Sequence, residues 1–354
     1  MTGDTGLRRW AKAVATKTLS GVPLQLWQRV FPKDLVALCY HMVSDGDLPH
    51  VQLYPFKTPA QFRADVALAR PLTVSYEAVV RSRLSGDALP HNSMLFTFDD
   101  GFAQCFDVVR PILLENRVDG VFFISTSFID DREIFTECVL SLCISASRVL
   151  PIARILQIAD YFSIPMDVIA TSELGAALDA HPARLALVEW LRSISREGGQ
   201  NITEVCVQLG VDPIAYARAN PIFMTSDQVR QLALDGFTIG AHGLNHSLLE
   251  HLSVEEIERE MVASCLAVSE ITKQKRVPFA FPYSGLAIDR DVIAGILKRN
   301  SLIELVFDSG CLRRDPRFIV NRVFNDAPPA SDSSNVPDTL RNLWSLPSAW
   351  FRAS

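Results

Sequence analysis

The chain has 354 residues, 48% of them hydrophobic, with a formal net charge of −6 and a sequence pI near 5.7. This length and apolar share allow a full core, in one large α/β domain or two smaller ones, and exclude disorder as the default state. The acidic balance gives no chain-wide attraction to polyanions, so no nucleic-acid partner is expected.

In chain order, residues 6 to 30 mix basic positions (Arg8, Arg9, Lys12, Lys17) with apolar ones (Leu7, Trp10, Val14, Leu26, Trp27, Val30), interrupted near Gly21 and Pro23. Residues 1–33 are read as an N-terminal helical segment packed on the domain, with peripheral contact to an anionic membrane as the alternative. The segment has no unbroken apolar h-region, and no later run is long enough to span a bilayer, so a cytoplasmic location, including the inner face of the membrane, is expected.

Apolar, β-branched or aromatic runs then recur at Leu35 to Tyr40, Met94 to Phe98, Val121 to Ile124, Phe237 to Ile239, Phe279 to Phe281, Ile303 to Phe307 and Phe318 to Val320. These are strand candidates. Helical patterns separate most of them, among them Ala103 to Asn116 and Val254 to Thr272, and such alternation implies a parallel sheet. Thr225 with Gln228, and Ser253 with Glu256, have the spacing of capping boxes that open helices. They bracket the segment around His242, which is therefore placed on a loop at a carboxyl strand end, where parallel α/β folds keep their chemistry.

Between Asp130 and Asn220 short helical stretches, including Ile134 to Ser147 and Ala183 to Ser195, replace the strand signals, so about 130–220 is read as a helical insertion in a domain spanning 34–325. Residues 326 to 338 are rich in Pro, Ser and Asp and read as a loose linker, opening a C-terminal tail (326–354) that carries Trp344, Trp350 and Phe351. The seven cysteines, at 39, 105, 138, 143, 206, 265 and 311, form no CxxC pair and are odd in number. They fit buried small hydrophobes in a reducing compartment rather than a disulfide framework or a cysteine zinc site.

Two segments carry chemistry. Met94-Leu-Phe-Thr-Phe-Asp99-Asp100-Gly101 sets adjacent carboxylates and a glycine at the end of an apolar strand. Burying both without a cation is costly, and where the strand turns, both can reach one pocket. His242-Gly-Leu-Asn-His246 follows another strand, and its spacing of four places both imidazoles on one face of a starting helical turn. Two histidines and one carboxylate with open positions suit a hydrolytic metal site. Taken singly, an Asp-Asp-Gly also reads as a turn with a helix cap, and a histidine pair as a structural feature.

These segments resemble the polysaccharide deacetylases with a NodB homology domain, carbohydrate esterase family four. Thr97-Phe-Asp-Asp-Gly101 is similar to the family's first motif, His242-xxx-His246 to the second, and Phe279-Ala-Phe-Pro-Tyr283-Ser284-Gly285 to the third. The resemblance covers roughly 34 to 128 and 221 to 325. It implies a distorted (β/α) barrel, Asp99 as general base, and Asp100, His242 and His246 as ligands of a divalent metal. Zinc suits that donor set best, with cobalt, nickel and manganese also compatible.

Three departures stand out. Gly243 replaces the Ser or Thr that usually follows the first metal histidine, which removes a supporting hydroxyl. Ala280 stands where relatives have the arginine that orients the base, and Arg322, beyond the last expected strand, is put forward to supply the guanidinium. No Leu-x-His follows near the C-terminus. Leu38-Cys-Tyr40-His41-Met-Val43 instead resembles the Tyr-His-x-Val segment of exopolysaccharide deacetylases, so His41 is assigned as general acid. The backbone N–H of Tyr283, preceded by the rigid Pro282, is expected to face the oxyanion.

The expected activity is metal-dependent removal of N-acetyl groups from a sugar, glycolipid or polysaccharide precursor, with release of acetate. Two alternatives stay open: a sugar-binding module whose catalysis has decayed, and an amidohydrolase acting on a non-sugar amide. A glycosidase is disfavoured, because adjacent aspartates do not flank a sugar at the roughly 5–9.5 Å carboxylate separation that chemistry uses.

Overall fold

The computed structural model describes residues 35–165, 181–197, 201–309, 315–329, 334–336 and 339. The basic N-terminal segment, Cys311 and the C-terminal Trp344, Trp350 and Phe351 lie outside them. Seven strands, β1 (Leu35–Tyr40), β2 (Ser93–Phe98), β3 (Gly120–Ile124), β4 (Thr238–Ala241), β5 (Val277–Ala280), β6 (Ile303–Ser309) and β7 (Ile319–Phe324), pair in sequence order, all parallel, and β7 closes on β1. The distorted (β/α) barrel read from the motifs is the observed architecture.

The strands are buried on both faces, which is why they read as continuous apolar runs. Alternate residues still have separate destinations. Met94, Phe96 and Phe98 face the surrounding helices, with Leu38, Tyr40, Phe122 and Phe279 in the same layer. Leu95 packs inside the barrel with Ala37, Phe123, Ala280, Leu305, Phe307 and Val320. Each inward series, carried past the strand end, delivers its next side chain to the carboxyl rim.

Both capping boxes form, with Thr225 and Ser253 accepting from the backbone N–H groups of Gln228 and Glu256. The helix after Ser253 runs Val254–Thr272, as the periodicity predicts. The helix expected over Ala103 to Asn116 forms, with a π-helical turn at Cys105–Val109 inside it before Arg110–Asn116. Two corrections concern the termini of elements. His242 to Leu248 form a loop and not a helical turn, because Gly243 and His246 both sit at positive φ (77° and 53°), which breaks helical continuation. The last strand extends to Phe324, and Asn325 and Asp326 beyond it are buried, so the loose-linker reading begins too early.

The chain divides into two compact units, one of Met1–Asp45, Phe56–Asp130 and Phe223–Ser354 containing the barrel, the other of Gly46–Pro55 and Asp131–Ile222. The second is helical (Thr136–Val149, Ile152–Tyr161, Pro182–Glu197, Ile202–Leu209, Pro213–Ala219) and has its own core around Leu140, Ile155, Leu187 and Val205. No helix among the described residues is long and apolar enough to cross a membrane.

Candidate active site

The first motif turns inward at the end of β2. Asp99 continues the inward series of Leu95 and Thr97, and Asp100 follows at φ 70° with Gly101 at φ 85°. This left-handed turn sends two successive carboxylates into one region, which an extended strand could not do. Both are buried.

Asp100 meets the histidines. Its Oδ1 lies 3.3 Å from His246 Nε2 and 3.5 Å from His242 Nε2. Donor atoms of the three residues all fall within 4.8 Å of one another. His242 Nδ1 is 2.9 Å from the carbonyl oxygen of Ala280, which must accept a proton from it and so leaves the Nε2 lone pair for the cluster. Burial lowers the His242 pKa to about 4, which keeps the ring neutral. Burial would raise the Asp100 pKa, but the imidazoles of His246, His41 and His242 outweigh it and hold the carboxyl well below its usual range.

Neither Asp100 oxygen makes a hydrogen bond, although both are buried. A buried carboxylate without hydrogen bonds, facing two imidazole nitrogens, is costly unless a cation joins them. The donor set of two nitrogens and one oxygen fits a divalent metal of the zinc type.

Asp99 is held differently. Arg322, fully buried, places both terminal nitrogens on it, Nη1 at 2.5 Å from Oδ1 and Nη2 at 2.8 Å from Oδ2, a fork geometry that fixes the plane of the carboxylate. Cys39 Sγ adds a contact at 3.4 Å. Burial would raise the Asp99 pKa, and Arg322, with His242 and His41, overrides it and keeps the group ionised. The guanidinium lies over the Phe123 ring, 5.1 Å from its centroid. A Cβ at position 240 would stand 2.3 Å from that ring, so the glycine on β4 makes room for the support beneath Arg322. Ala280, where an arginine was missed in the sequence, supplies its carbonyl to His242 instead.

His41 follows β1 on the same inward series as Ala37 and Cys39. Its Nδ1 is 2.7 Å from Asp326 Oδ2, and its backbone N–H donates to Asp326 Oδ1 at 2.9 Å. Phe324, half exposed, stacks against the ring. Burial acts to lower the His41 pKa, but the charge of Asp326, helped by Asp100 and Asp99, raises it to about 9. Tyr283, at φ 55°, sets its ring 4.7 Å from that of His246, and its carbonyl accepts from Ser309 Oγ. Asp308 accepts from the Gly285 N–H at 2.9 Å and pairs with Arg290 at 2.9 Å, which pins the third-motif loop.

The structure therefore brings Asp99, Asp100, His242, His246, Arg322, His41 and Tyr283 to the carboxyl rim of one barrel. Sequence reasoning missed Asp326 and the supporting Glu260, whose Oε2 accepts from the Leu244 N–H at 2.8 Å. Asp326 had a signal: Arg322, Phe324 and Asp326 share one strand face at a spacing of two. At Gly243, φ is 77° and a Cβ would approach Glu260 Oε2 at 3.2 Å, so a Ser or Thr there would be strained.

The polysaccharide deacetylase family model matches residues 199–300. No curated protein sequence matches the chain. Among solved structures, the Streptococcus pyogenes deacetylase PplD in complex with acetate superposes with a TM-score of 0.53 at 13% identity, covering 88% of this chain and 98% of that one. A de-N-acetylase from Aggregatibacter actinomycetemcomitans gives 0.51 at 16% identity, covering 86% and 99%, and IcaB from Ammonifex degensii 0.50 at 14%, covering 89% and 99%. At these identities the structures establish the fold alone, and the family model covers less than a third of the chain.

Proposed function

We propose that this chain is a polysaccharide deacetylase, a metal-dependent hydrolase that removes N-acetyl groups from sugar units of a glycan or glycolipid precursor, as the family match over residues 199–300 and the motifs support. The observation that carries the metal dependence is the buried Asp100 carboxylate, without hydrogen bonds and facing the Nε2 atoms of His242 and His246. These three residues would hold the ion. When bound, a divalent cation there lowers the pKa of a water and polarises an acyl oxygen.

The chain's own residues supply the rest. Asp99 stays ionised at neutral pH, with its plane set by Arg322, and takes the proton of the water as oxygen adds to the acetamide carbonyl carbon. The Tyr283 N–H is assigned to the oxyanion of the resulting tetrahedral species. His41 is charged at neutral pH, and Asp326 holds its Nδ1, which leaves Nε2 to deliver a proton to the sugar nitrogen as the C–N bond breaks. Acetate and the amino sugar leave; Asp99 is then protonated and His41 neutral, and the site is reset when Asp99 gives its proton to solvent and His41 takes one up.

The half-exposed Phe324 and Tyr283 offer apolar faces to a pyranose ring at the mouth of the site. Zinc is the ion proposed, and cytoplasmic glycolipids are proposed substrates to be tried beside soluble oligosaccharides. The test is acetate release by purified protein from N-acetylglucosamine oligomers and N-acetylated glycolipids, with and without chelator. Release that stops with chelator and returns with zinc supports the reading; release indifferent to chelator, or none from any N-acetylated sugar by metal-loaded protein, overturns it.

A further inference from the structure

We infer that the buried pair Lys57 and Asp65, outside the site, positions His41 by fixing both chain segments that meet at the His41–Asp326 contact. This rests on the role given to His41 above. Lys57 and Asp65 are each fully buried and joined in an ion pair on the outer side of β1. Asp65 lies on the helix Pro59–Ala69.

The Asp65 carboxylate gathers donors from both strands of the β1–β7 seam. Its Oδ2 accepts from Tyr40 Oη at 2.9 Å and from Asn325 Nδ2 at 3.0 Å, in addition to Lys57. Its Oδ1 accepts from Ser334 Oγ at 2.6 Å, while Lys57 also donates to Asn335 Oδ1. Asn325 Nδ2 further contacts Tyr40 Oη at 2.6 Å, and the Asn325 N–H donates to the Cys39 carbonyl at 2.8 Å.

Tyr40 immediately precedes His41, and Asn325 immediately precedes Asp326. Because neighbouring residues on a strand face opposite ways, Tyr40 and Asn325 point out to Asp65 while His41 and Asp326 point in to the site. Two carboxylates thus clasp the same seam from its two sides. Asp65 fixes the outer members, and Asp326 holds the inner one.

Thermodynamic stability alone does not account for such a pair. A buried ion pair replaced by apolar residues of similar volume is often no less stable, so its distinct contribution is a single geometry. Here that geometry is the register of Asn325 against Tyr40, and with it the distance from Asp326 to the His41 ring. Misplacing a proton donor by about an ångström costs on the order of a hundredfold in rate.

The test uses Lys57→Met and Asp65→Asn in the full-length, zinc-loaded protein, with Asn325→Ala as the variant that leaves the ion pair intact and cuts only its link to the seam. The readouts are kcat and KM for acetate release, bound zinc, and the imidazole nitrogen resonances of His41, assigned by their loss in His41→Gln. The expected result is kcat lower by about ten- to a hundredfold with KM and zinc unchanged, and His41 nitrogen resonances that move from the imidazolium positions towards those of the neutral ring as Asp326 loses its place. Variants that melt at lower temperature yet keep the wild-type kcat and His41 signal would overturn the inference and leave the pair a structural one. If Lys57→Met or Asp65→Asn does not fold, Asn325→Ala decides. If the wild type releases no acetate, the His41 resonances decide alone: a changed signal keeps this inference while the deacetylase reading fails, and an unchanged one ends it.

Discussion

His41 and His242 stand just past the ends of β1 and β4, both deliver a ring to the same rim, and both commit Nδ1 to an oxygen, yet they end in opposite charge states. His242 faces the carbonyl of Ala280, and burial takes its pKa to about 4. His41 faces the carboxylate of Asp326, which overcomes burial and takes its pKa to about 9. A carbonyl fixes a tautomer without paying for a charge, so the ring stays neutral and offers a lone pair. A carboxylate stabilises the imidazolium, so the ring holds a proton it can give away. The two sides of one site are thus built from the same residue type, and the partner decides between a neutral ring and a charged one.

The largest effect is expected where the two sides meet at Asp99. Asp99→Asn keeps the shape but loses the base, and acetate release should fall by about 10²–10⁴-fold with bound zinc unchanged. An equal rate in the variant would remove Asp99 from the chemistry.

Asp326→Asn tests the His41 side directly. In the wild type the rate should fall as pH rises through about 9, where His41 loses its proton. Without the carboxylate the His41 pKa drops, so the same loss should occur at lower pH, with the alkaline limb of kcat/KM shifted by about a unit or more. An unmoved limb would show that another group governs it.

Arg322→Met asks what the guanidinium does beyond orientation. It leaves Asp99 buried without its cation, and urea denaturation at neutral pH should show a loss of about 3–5 kcal/mol. The sign follows from the lowered Asp99 pKa: its contribution to stability is full above the pKa of the unfolded chain and is lost as pH falls. The variant should therefore lose less stability on acidification than the wild type. Gly240→Ala has the smallest effect, about 1–3 kcal/mol of overpacking against Phe123 in the same denaturation measurement, together with lower kcat as the support under Arg322 shifts.

A parallel sheet was legible because its strands are buried on both faces and alternate with capped helices, as at Thr225 and Ser253, while its closure into a barrel came from the resemblance of the motifs. The His242 and His246 pair was legible from residue type and spacing, and the resemblance of the motifs singled out Asp100 as the carboxylate that joins them. What was not legible lay where a turn or a strand end depends on partners distant in sequence. The His242–His246 spacing suggested a helical turn, but positive φ at Gly243 and His246 makes a loop that reaches the same cluster. Asp326 was read as linker because Pro and Ser follow it, whereas its burial depends on pairing between strands almost three hundred residues apart. Arg322 had residue type in its favour, and only the closure of β7 on β1 brings it to Asp99.

The most direct test of the account is zinc titration of metal-stripped protein by calorimetry, for the wild type and for Asp100→Ala with His246→Ala. The wild type should bind one equivalent and the double variant none at that site, with both proteins folded. Wild-type protein that binds no zinc, or a double variant that binds it as tightly, would contradict it.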